Sequence, residues 1–439
     1  MAEFLINDVS LFVSKALEAT YNQDVVSGPD YAKIRTLQAA YVLPQVEFIN
    51  DAGVPGNGHE FATTWCPSYI SHPAFTFTDD VNFGIAGRLA LRALGGTVTT
   101  TPLTGSAYEH KCDMLPISTG RQLPSFTMIS ELGGASFRCA GMVVDRFRLS
   151  QNRADRPQYT VDVIGSGDFT TPFQRIGTCT ITNATPAVIT RNGHGLTANA
   201  PVVFTTTGTL PSGITAGTVY YVRSSGLTAN AFTISATSGG VAINTTTAGT
   251  GVHTVSMTSM PTQMDIADCL NGADAQVSWV DSSGTVNFSG TTCSLRSWFV
   301  EVANNSRLND RCPGDPTKTL TYNTLTTTPA HVNRLRRGNR VVTAQLVILL
   351  DSTIGTWERY VTGEQITDVY FKARGSTEAG PSNRYSLNLY IPKARIQSIE
   401  PGEVDGEATM TVNLLGMYDS ISGGAMEAVV VNQETSNYA

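Results

Sequence analysis

The residue types that do chemistry are present in this sequence, but their spacing does not assemble them. Six histidines stand at His59, His72, His110, His194, His253 and His331. None belongs to an HExxH motif or an i, i+4 pair of the kind that holds zinc on one helix face. His194 and His253 lie in a Thr-rich stretch without an acidic neighbour and read as loop or strand residues rather than ligands. The seven cysteines (Cys66, Cys112, Cys139, Cys179, Cys269, Cys293, Cys312) are odd in number, widely spaced and free of any CxxC pair. They read as reduced, mostly buried thiols. Phosphate-cradling GxGxxG and Walker patterns are missing, as is the GxSxG nucleophile elbow; Gly165-Ser166-Gly167 reads as a flexible exit from a strand. Glu400, Glu403, Asp405 and Glu407 have the oxygen chemistry of a calcium site, but without EF-hand spacing, and Pro401, Gly402 and Gly406 make the stretch a turn with solvated charges. No catalytic constellation, cofactor or metal is expected, and the chain is not expected to be an enzyme.

Two clusters have the chemistry of recognition. The run from Asn333 to Arg340 concentrates Arg334, Arg336, Arg337 and Arg340. A single-strand nucleic-acid groove interleaves aromatics with its cations, and this run does not. Arginine's planar fork suits contacts with carboxylates, so these four are candidates for inter-subunit contact. Tyr220, Tyr221 and Phe232 are candidates for surface recognition of a glycan; filling the core of a small domain is the simpler role for such rings.

The elements that must position these groups follow from composition and patterning. Charged residues are only 15% of 439 residues, against 41% hydrophobic, with 40 Gly and 20 Pro. An ordinary soluble domain carries about 25% charged residues; here Thr, Ser, Asn and Gly take their place, the mark of β-strands joined by many turns. A helical bundle and a coiled coil are excluded on that ground, and the net charge of −7 is too small for a disordered chain of this hydrophobicity. Net acidity also argues against gripping phosphate backbones by charge. The longest strongly apolar run, Leu346 to Leu350, is far short of the 18–20 residues or so of a membrane-spanning helix, so no membrane insertion is expected. The first residues, MAEFLINDVS, lack a basic leader and a small-residue cleavage site, so no secretory signal is expected.

Between Thr178 and Ser256 the only charged residues are Arg191 and Arg223. Short β-patterned segments (179–184, 187–196, 201–208, 218–225, 231–240 and 251–257) alternate there with Gly- or Pro-bearing turns. The expected organisation is a first β-domain over 1–177, an inserted Thr-rich β-domain over 178–257, and a second β-domain over 258–439. Without the insert's +2 the remainder carries −7 − (+2) = −9, so the acidity belongs to the flanking pieces.

Those pieces repeat one another. FRCAGMVVDRFRLSQNRADRPQYTVDVIG (137–165) and YSLNLYIPKARIQSIEPGEVDGEATMTVNLLG (385–416) both read as a strand bearing basic residues (Arg146, Arg148; Lys393, Arg395), a polar turn and a second strand. The closing strands 159–165 and 410–416 align without a gap, with Val161 and Val163 on one face, like Val412 and Leu414. Upstream, 74–96 and 343–365 each read as a strand, an aspartate (Asp79, Asp351) placed to cap a helix, and a short helix. The helical spacing involves Val81, Ile85, Leu89 and Ala93 in one, and Ile354, Trp357, Tyr360 and Val361 in the other. The first half carries a longer segment over 97–136 and lacks the RRGNR-type turn.

VEVANNSRLNDRCPGD (300–315), RLRRGNRVVTAQLVILLDS (334–352) and YIPKARIQSIEPGEVDGEATMTVNLLGMYD (390–419), in that order, resemble a bacteriophage major tail tube protein of a long-tailed phage. The insert, notably 192–222, resembles the small Ig-like β-domains that decorate virion proteins. The resemblance implies a mainly β fold of sandwich or barrel tube domains, each with a short helix, and a structural role in the virion tail after assembly in the host cytoplasm. It implies stacked rings forming a conduit for DNA ejection. Two tube domains per chain would make each ring a homotrimer with pseudo-hexameric symmetry, the insert facing outward. Implied partners are the chain itself, other tail proteins (terminator, baseplate or tape-measure), and double-stranded DNA passing through the lumen. The alternative is a tail- or capsid-surface binding protein whose β-domain contacts host glycans.

Overall fold

The structure is a computed structural model that describes residues 9–18, 21, 31–34, 46–50, 65–70, 74–132, 135–153, 155–165, 169–170, 177–192, 194, 196, 198–257, 275–289, 294–306, 337–350 and 356–435. It is mainly β, with two α-helices among the described residues. The chain begins with β1 (Val9–Ser14), β2 (Tyr31–Ile34), β3 (Val46–Asn50), β4 (Trp65–Ile70) and β5 (Ala74–Asp80), then α1 (Ile85–Leu94). A hairpin of β6 (Gly95–Pro102) and β7 (Tyr108–Met114) precedes β8 (Phe126–Leu132), β9 (Ala135–Asn152), β10 (Gln158–Ile164) and β11 (Phe169–Thr170). The Thr-rich stretch supplies β12 (Thr178–Ile181), β13 (Ile189–Thr190), β14 (Pro201–Thr206), β15 (Tyr220–Val222), β16 (Ala231–Phe232), β17 (Ile234–Ser235) and β18 (His253–Met257). Then follow β19 (Ala275–Asp281), β20 (Gly284–Asn287), β21 (Leu295–Ala303), β22 (Val341–Leu349), α2 (Thr356–Thr362), β23 (Gln365–Gly380), β24 (Asn383–Val404), β25 (Glu407–Gly416) and β26 (Glu427–Asn432).

One pairing order occurs twice. In the first repeat it is β2-β1-β8-β9-β10-β5, all antiparallel. In the second it is β20-β19-β23-β24-β25-β22. The strand after each closing strand, β11 or β26, returns to pair with β9 or β24. Even the bulge recurs: the β9–β10 register shifts between Asp162 and Val163, and the β24–β25 register between their aligned counterparts Asn413 and Leu414. That shared register sets Asp145 against Gln397, Arg146 against Ser398, and Arg148 against Glu400. Arg146 and Arg148 are therefore not the counterparts of Lys393 and Arg395, contrary to the sequence pairing, because the bulge fixes the strands about five residues away from that match. Each helix ends on a glycine with positive φ, Gly95 at 70° and Gly363 at 68°, the left-handed stop that only glycine takes without strain.

Period-two alternation builds the core. Tyr159, Val161 and Val163 point inward from β10, and Met410, Val412 and Leu414 from β25, into one cluster shared by both repeats. Helix α1 departs from the amphipathic expectation, for all ten of its residues are buried. Its polar side is covered, and the two arginines there find main-chain and carboxylate partners: Arg88 Nη1 and Arg92 Nη2 donate to the Lys15 carbonyl at 2.9 and 2.8 Å, and Arg88 pairs with Glu434. The expected cap also moves. Asp79 lies inside β5, its carboxylate accepting the Asp80 amide at 2.8 Å, and Asn82 Oδ1 instead receives the Ile85 amide at 2.7 Å. Asp351 lies outside the described residues. The long segment of the first half is the β6–β7 hairpin, which extends the sheet by pairing with β26.

The seven strands of the Thr-rich stretch form a separate sheet. Its core of Val202, Phe204, Val222, Ile234, Val255 and neighbours shares no residue with the main cluster.

Candidate self-assembly interface

The two repeats meet edge to edge through β21. This strand pairs with β22 of its own repeat and, on its other side, with Arg146–Asn152 of β9. The order β5-β10-β9-β21-β22-β25-β24 is thus one unbroken antiparallel sheet crossing both repeats. Alternation along β21 sends Trp298, Val300 and Val302 into the core, and Trp298 Nε1 donates to Gln151 Oε1 at 3.1 Å. The opposite face stays polar. Thr76 donates to Asp162 at 2.5 Å, Arg146 Nε to Asp162 at 2.6 Å, and both Arg146 and Arg148 stand 4.0 Å from Glu301. The Arg148 guanidinium also lies 3.7 Å over the Phe299 ring. The hydrogen bond it donates to Asp162 holds Arg146 above its ordinary pKa. In the second repeat the same positions carry a neutral ladder, Gln345 donating to Asn413 at 2.8 Å and Asn413 to Ser398 at 2.9 Å.

Beyond the end of β21 a socket closes over the bulge. Asn304 is fully buried. Its Nδ2 donates to the carbonyls of Ala93, at the end of α1, and Val144, at 3.0 and 2.9 Å, and its amide donates to the Asp145 carbonyl at 2.7 Å. Ser306 donates its amide to the Asp145 carboxylate at 2.7 Å. Arg340 Nη2 reaches the carbonyls of Leu94 at 2.8 Å and Ala93 at 3.3 Å, and Arg337 Nη2 that of Leu115 at 2.9 Å. Cations at a helix C-terminus satisfy orphan carbonyls and complement the dipole. Burial, then the neighbouring Arg337, lowers Arg340 to about 9, so it stays charged at neutral pH.

A second contact runs along β26 and β7. His110 is buried between Thr100 Oγ1 at 2.9 Å and Asn432 Oδ1 at 3.0 Å. An amide oxygen only accepts, so Nε2 carries the hydrogen and Nδ1 accepts from the Thr100 hydroxyl. Lys111 pairs with Glu427 at 2.9 Å across the same strands.

Of the four arginines singled out in the sequence, Arg337 and Arg340 bind the first repeat of the same chain, while Arg334 and Arg336 lie outside the described residues. Tyr220 and Phe232 sit in the core of the Thr-rich sheet, and Tyr221 is half-buried. Tyr220 Oη accepts the Thr215 amide at 2.9 Å, and Phe232 packs edge-on against His194 at 5.0 Å; buried rings of this kind offer no face to a glycan. Cys112, Cys139 and Cys179 are buried free thiols, with burial pushing Cys112 up to about 12 and Cys179 to about 11. Of the acidic stretch, Asp405 pairs with Arg153 and Glu407 with Arg296. Sequence reasoning missed Asn304 and His110, whose respective partners Ala93 and Asn432 are 211 and 322 residues away.

No family model matches the sequence, and no curated protein matches it. Among solved structures, it is similar to the SPP1 tail tube determined by solid-state NMR and cryo-EM, at 11% identity and a TM-score of 0.24, over 38% of this chain and 81% of that one.

Proposed function

We propose that the chain is a non-enzymatic structural protein of a phage tail, self-assembling into rings that stack as the tail tube and conduct DNA during ejection. One observation carries the reading: two repeats of one fold are joined by an asymmetric, edge-to-edge contact that extends a single sheet. A head-to-tail contact of this kind, repeated between chains, generates closed rings or open filaments rather than a two-fold dimer. Closure also removes the sheet edges that make an open β-sheet prone to aggregate. Three chains would place six repeats in a ring. The polar face of the joined sheet, carrying Thr76, Asp162, Arg146, Glu301, Gln345 and Asn413, is the face to line a lumen. Its cations Arg146 and Arg148 stand beside Asp162 and Glu301, which limits how strongly passing phosphates are held. Terminator, baseplate or tape-measure proteins would meet the ends of such a tube.

Negative-stain microscopy of the purified chain tests this reading, with stacked rings or tubes expected. Monomers that stay dispersed at high concentration refute it, and rings of six chains refute the threefold count while leaving the tube role standing.

A further inference from the structure

The contact between the repeats uses two different surfaces, the β21 side of the second repeat and the β9 side of the first. The second repeat presents a β9-like surface again. Ser398–Val404 of β24 pairs with β25 on one side, and on the other side no described strand pairs with it; the β23 pairing stops at Arg395. Exposure follows the difference in cover. Leu149 and Gln151 of β9 are buried under β21, whereas their register counterparts Pro401 and Glu403 are exposed.

The socket recurs as well. An open groove of about 550 Å³ is lined by Tyr360, Val361, Arg395, Ile396, Gln397 and Leu415. Counting from the helix-ending glycines Gly95 and Gly363, Val361 corresponds to Ala93; counting from the bulge, Ile396 and Gln397 correspond to Val144 and Asp145. These are the three residues that Asn304 binds in the first repeat. The groove is the same seat, and among the described residues none takes the place that Asn304 holds in the first repeat. Trp357 and Val361 of α2 are 57% and 67% exposed beside it, while all of α1 is buried.

The sequence itself supplies an occupant. Val46-Glu47-Phe48-Ile49-Asn50 matches Val300-Glu301-Val302-Ala303-Asn304 at Val, Glu and Asn. Strand β3 also holds the same place in the order, between β2 and β5, as β21 does between β20 and β22. Yet β3 pairs with β4 in a two-stranded sheet apart from the large one.

We propose that the β24 edge from Gln397 to Val404, with the groove beside α2, is the docking site for strand β3 of a second copy of this chain, Asn50 taking the seat that Asn304 takes within the chain. The proposal rests on the self-assembly reading and specifies its contact. Carrying over the β21–β9 register sets Ile49 opposite Ser398, Phe48 opposite Ile399 and Glu47 opposite Glu400. Where the internal contact opposes Glu301 to Arg148, the contact between chains opposes two carboxylates. It is therefore the weaker of the two and strengthens with salt, which screens like charges.

The test is a full-length chain carrying Ile49→Cys and Ser398→Cys, oxidised and run on a non-reducing gel beside each single variant. A ladder of covalent oligomers ending at the ring's chain count, present only in the double variant, supports the contact. Rings or tubes in the microscope without such cross-links overturn it while the assembly reading stands. Dispersed monomers without cross-links overturn both. Glu400→Arg provides a second arm at an exposed position where folding is not at stake. It restores the Glu–Arg opposition and should lower the concentration needed for assembly at low salt by roughly two- to tenfold; an unchanged threshold overturns the register. Asn50→Ala should raise that threshold while leaving the monomer's melting temperature unchanged, and an unaltered threshold counts against the seat.

Discussion

Asn304 shows how much one side chain holds here. It satisfies the carbonyls of Ala93 and Val144 from a fully buried position, and a buried carbonyl left without a donor costs about 1–3 kcal/mol. Arg340 Nη2 still reaches the Ala93 carbonyl, so Asn304→Ala should destabilise the chain by about 1–3 kcal/mol, read as a lower denaturant midpoint with an unchanged slope. His110 makes a prediction in pH. Burial, the largest cause, lowers its pKa from 6.5; Arg88 lowers it further, while Glu434 and the hydrogen bond with Asn432 oppose the shift. A lowered histidine is neutral in both folded and unfolded chains above about 6.5. As pH falls below that, the unfolded chain takes the proton first, so stability drops until the folded pKa is reached and then levels off. Melting temperatures measured from pH 7.5 to 5 should fall, and His110→Gln should lose part of that slope. An unaltered slope would mean the ring titrates normally. Neither residue was legible as a site, because a sequence carries no trace of a hydrogen bond closed across 322 residues. Arg337 and Arg340 were legible by type, but their main-chain partners were not.

At the scale of elements, period two was readable and tertiary cover was not. The inward faces of β10 and β25 follow directly from alternation, as do the six β-patterned segments of the Thr-rich stretch, all of which carry strands. Spacing also placed Val81, Ile85, Leu89 and Ala93 on one buried side, and all four are buried. It could not reveal that the other side of α1 is covered too, since the partners of Arg88 there, the Lys15 carbonyl and Glu434, lie 73 and 346 residues away. The register at the bulge, which decides that Arg148 answers to Glu400, likewise needs the paired strands. Comparing the two helices yields a prediction. Leu89 and Trp357 both stand six residues before the helix-ending glycine, the first fully buried and the second 57% exposed. Leu89→Ala should cost about 2–5 kcal/mol, whereas Trp357→Ser should change monomer stability by no more than about 0.5 kcal/mol, both read from chemical denaturation. If α2 faces a second copy, Trp357→Ser should instead weaken assembly, seen as shorter or fewer tubes at equal concentration.

For the whole molecule, the composition first read as a single average separates into two materials. The residues flanking the insert carry nearly all the charge, and the large sheet holds the contacts that join its repeats; the Thr-rich stretch carries two arginines and no acidic residue between 178 and 256. Their cores share no side chain, so burial in one contributes nothing to the other. The first and last strands of the Thr-rich sheet also lie side by side, Thr178 opposite Thr254. Neighbouring strands are about 5 Å apart, a gap that two or three Gly-Ser residues span. Replacing 178–257 with such a linker should therefore leave the large sheet folded and cooperative, with net charge −9 in place of −7 once the insert's two arginines are gone. The tubes expected of the full chain should still form, because neither the β21–β9 contact nor the β24 edge lies within the deleted residues. Loss of tubes from a chain that still unfolds cooperatively would make the Thr-rich sheet part of the assembly contact. Intact tubes on particles that attach poorly to cells would instead assign it to recognition of the host surface, and with Tyr220 and Phe232 buried in its core, that recognition would have to run through its Thr-lined exterior.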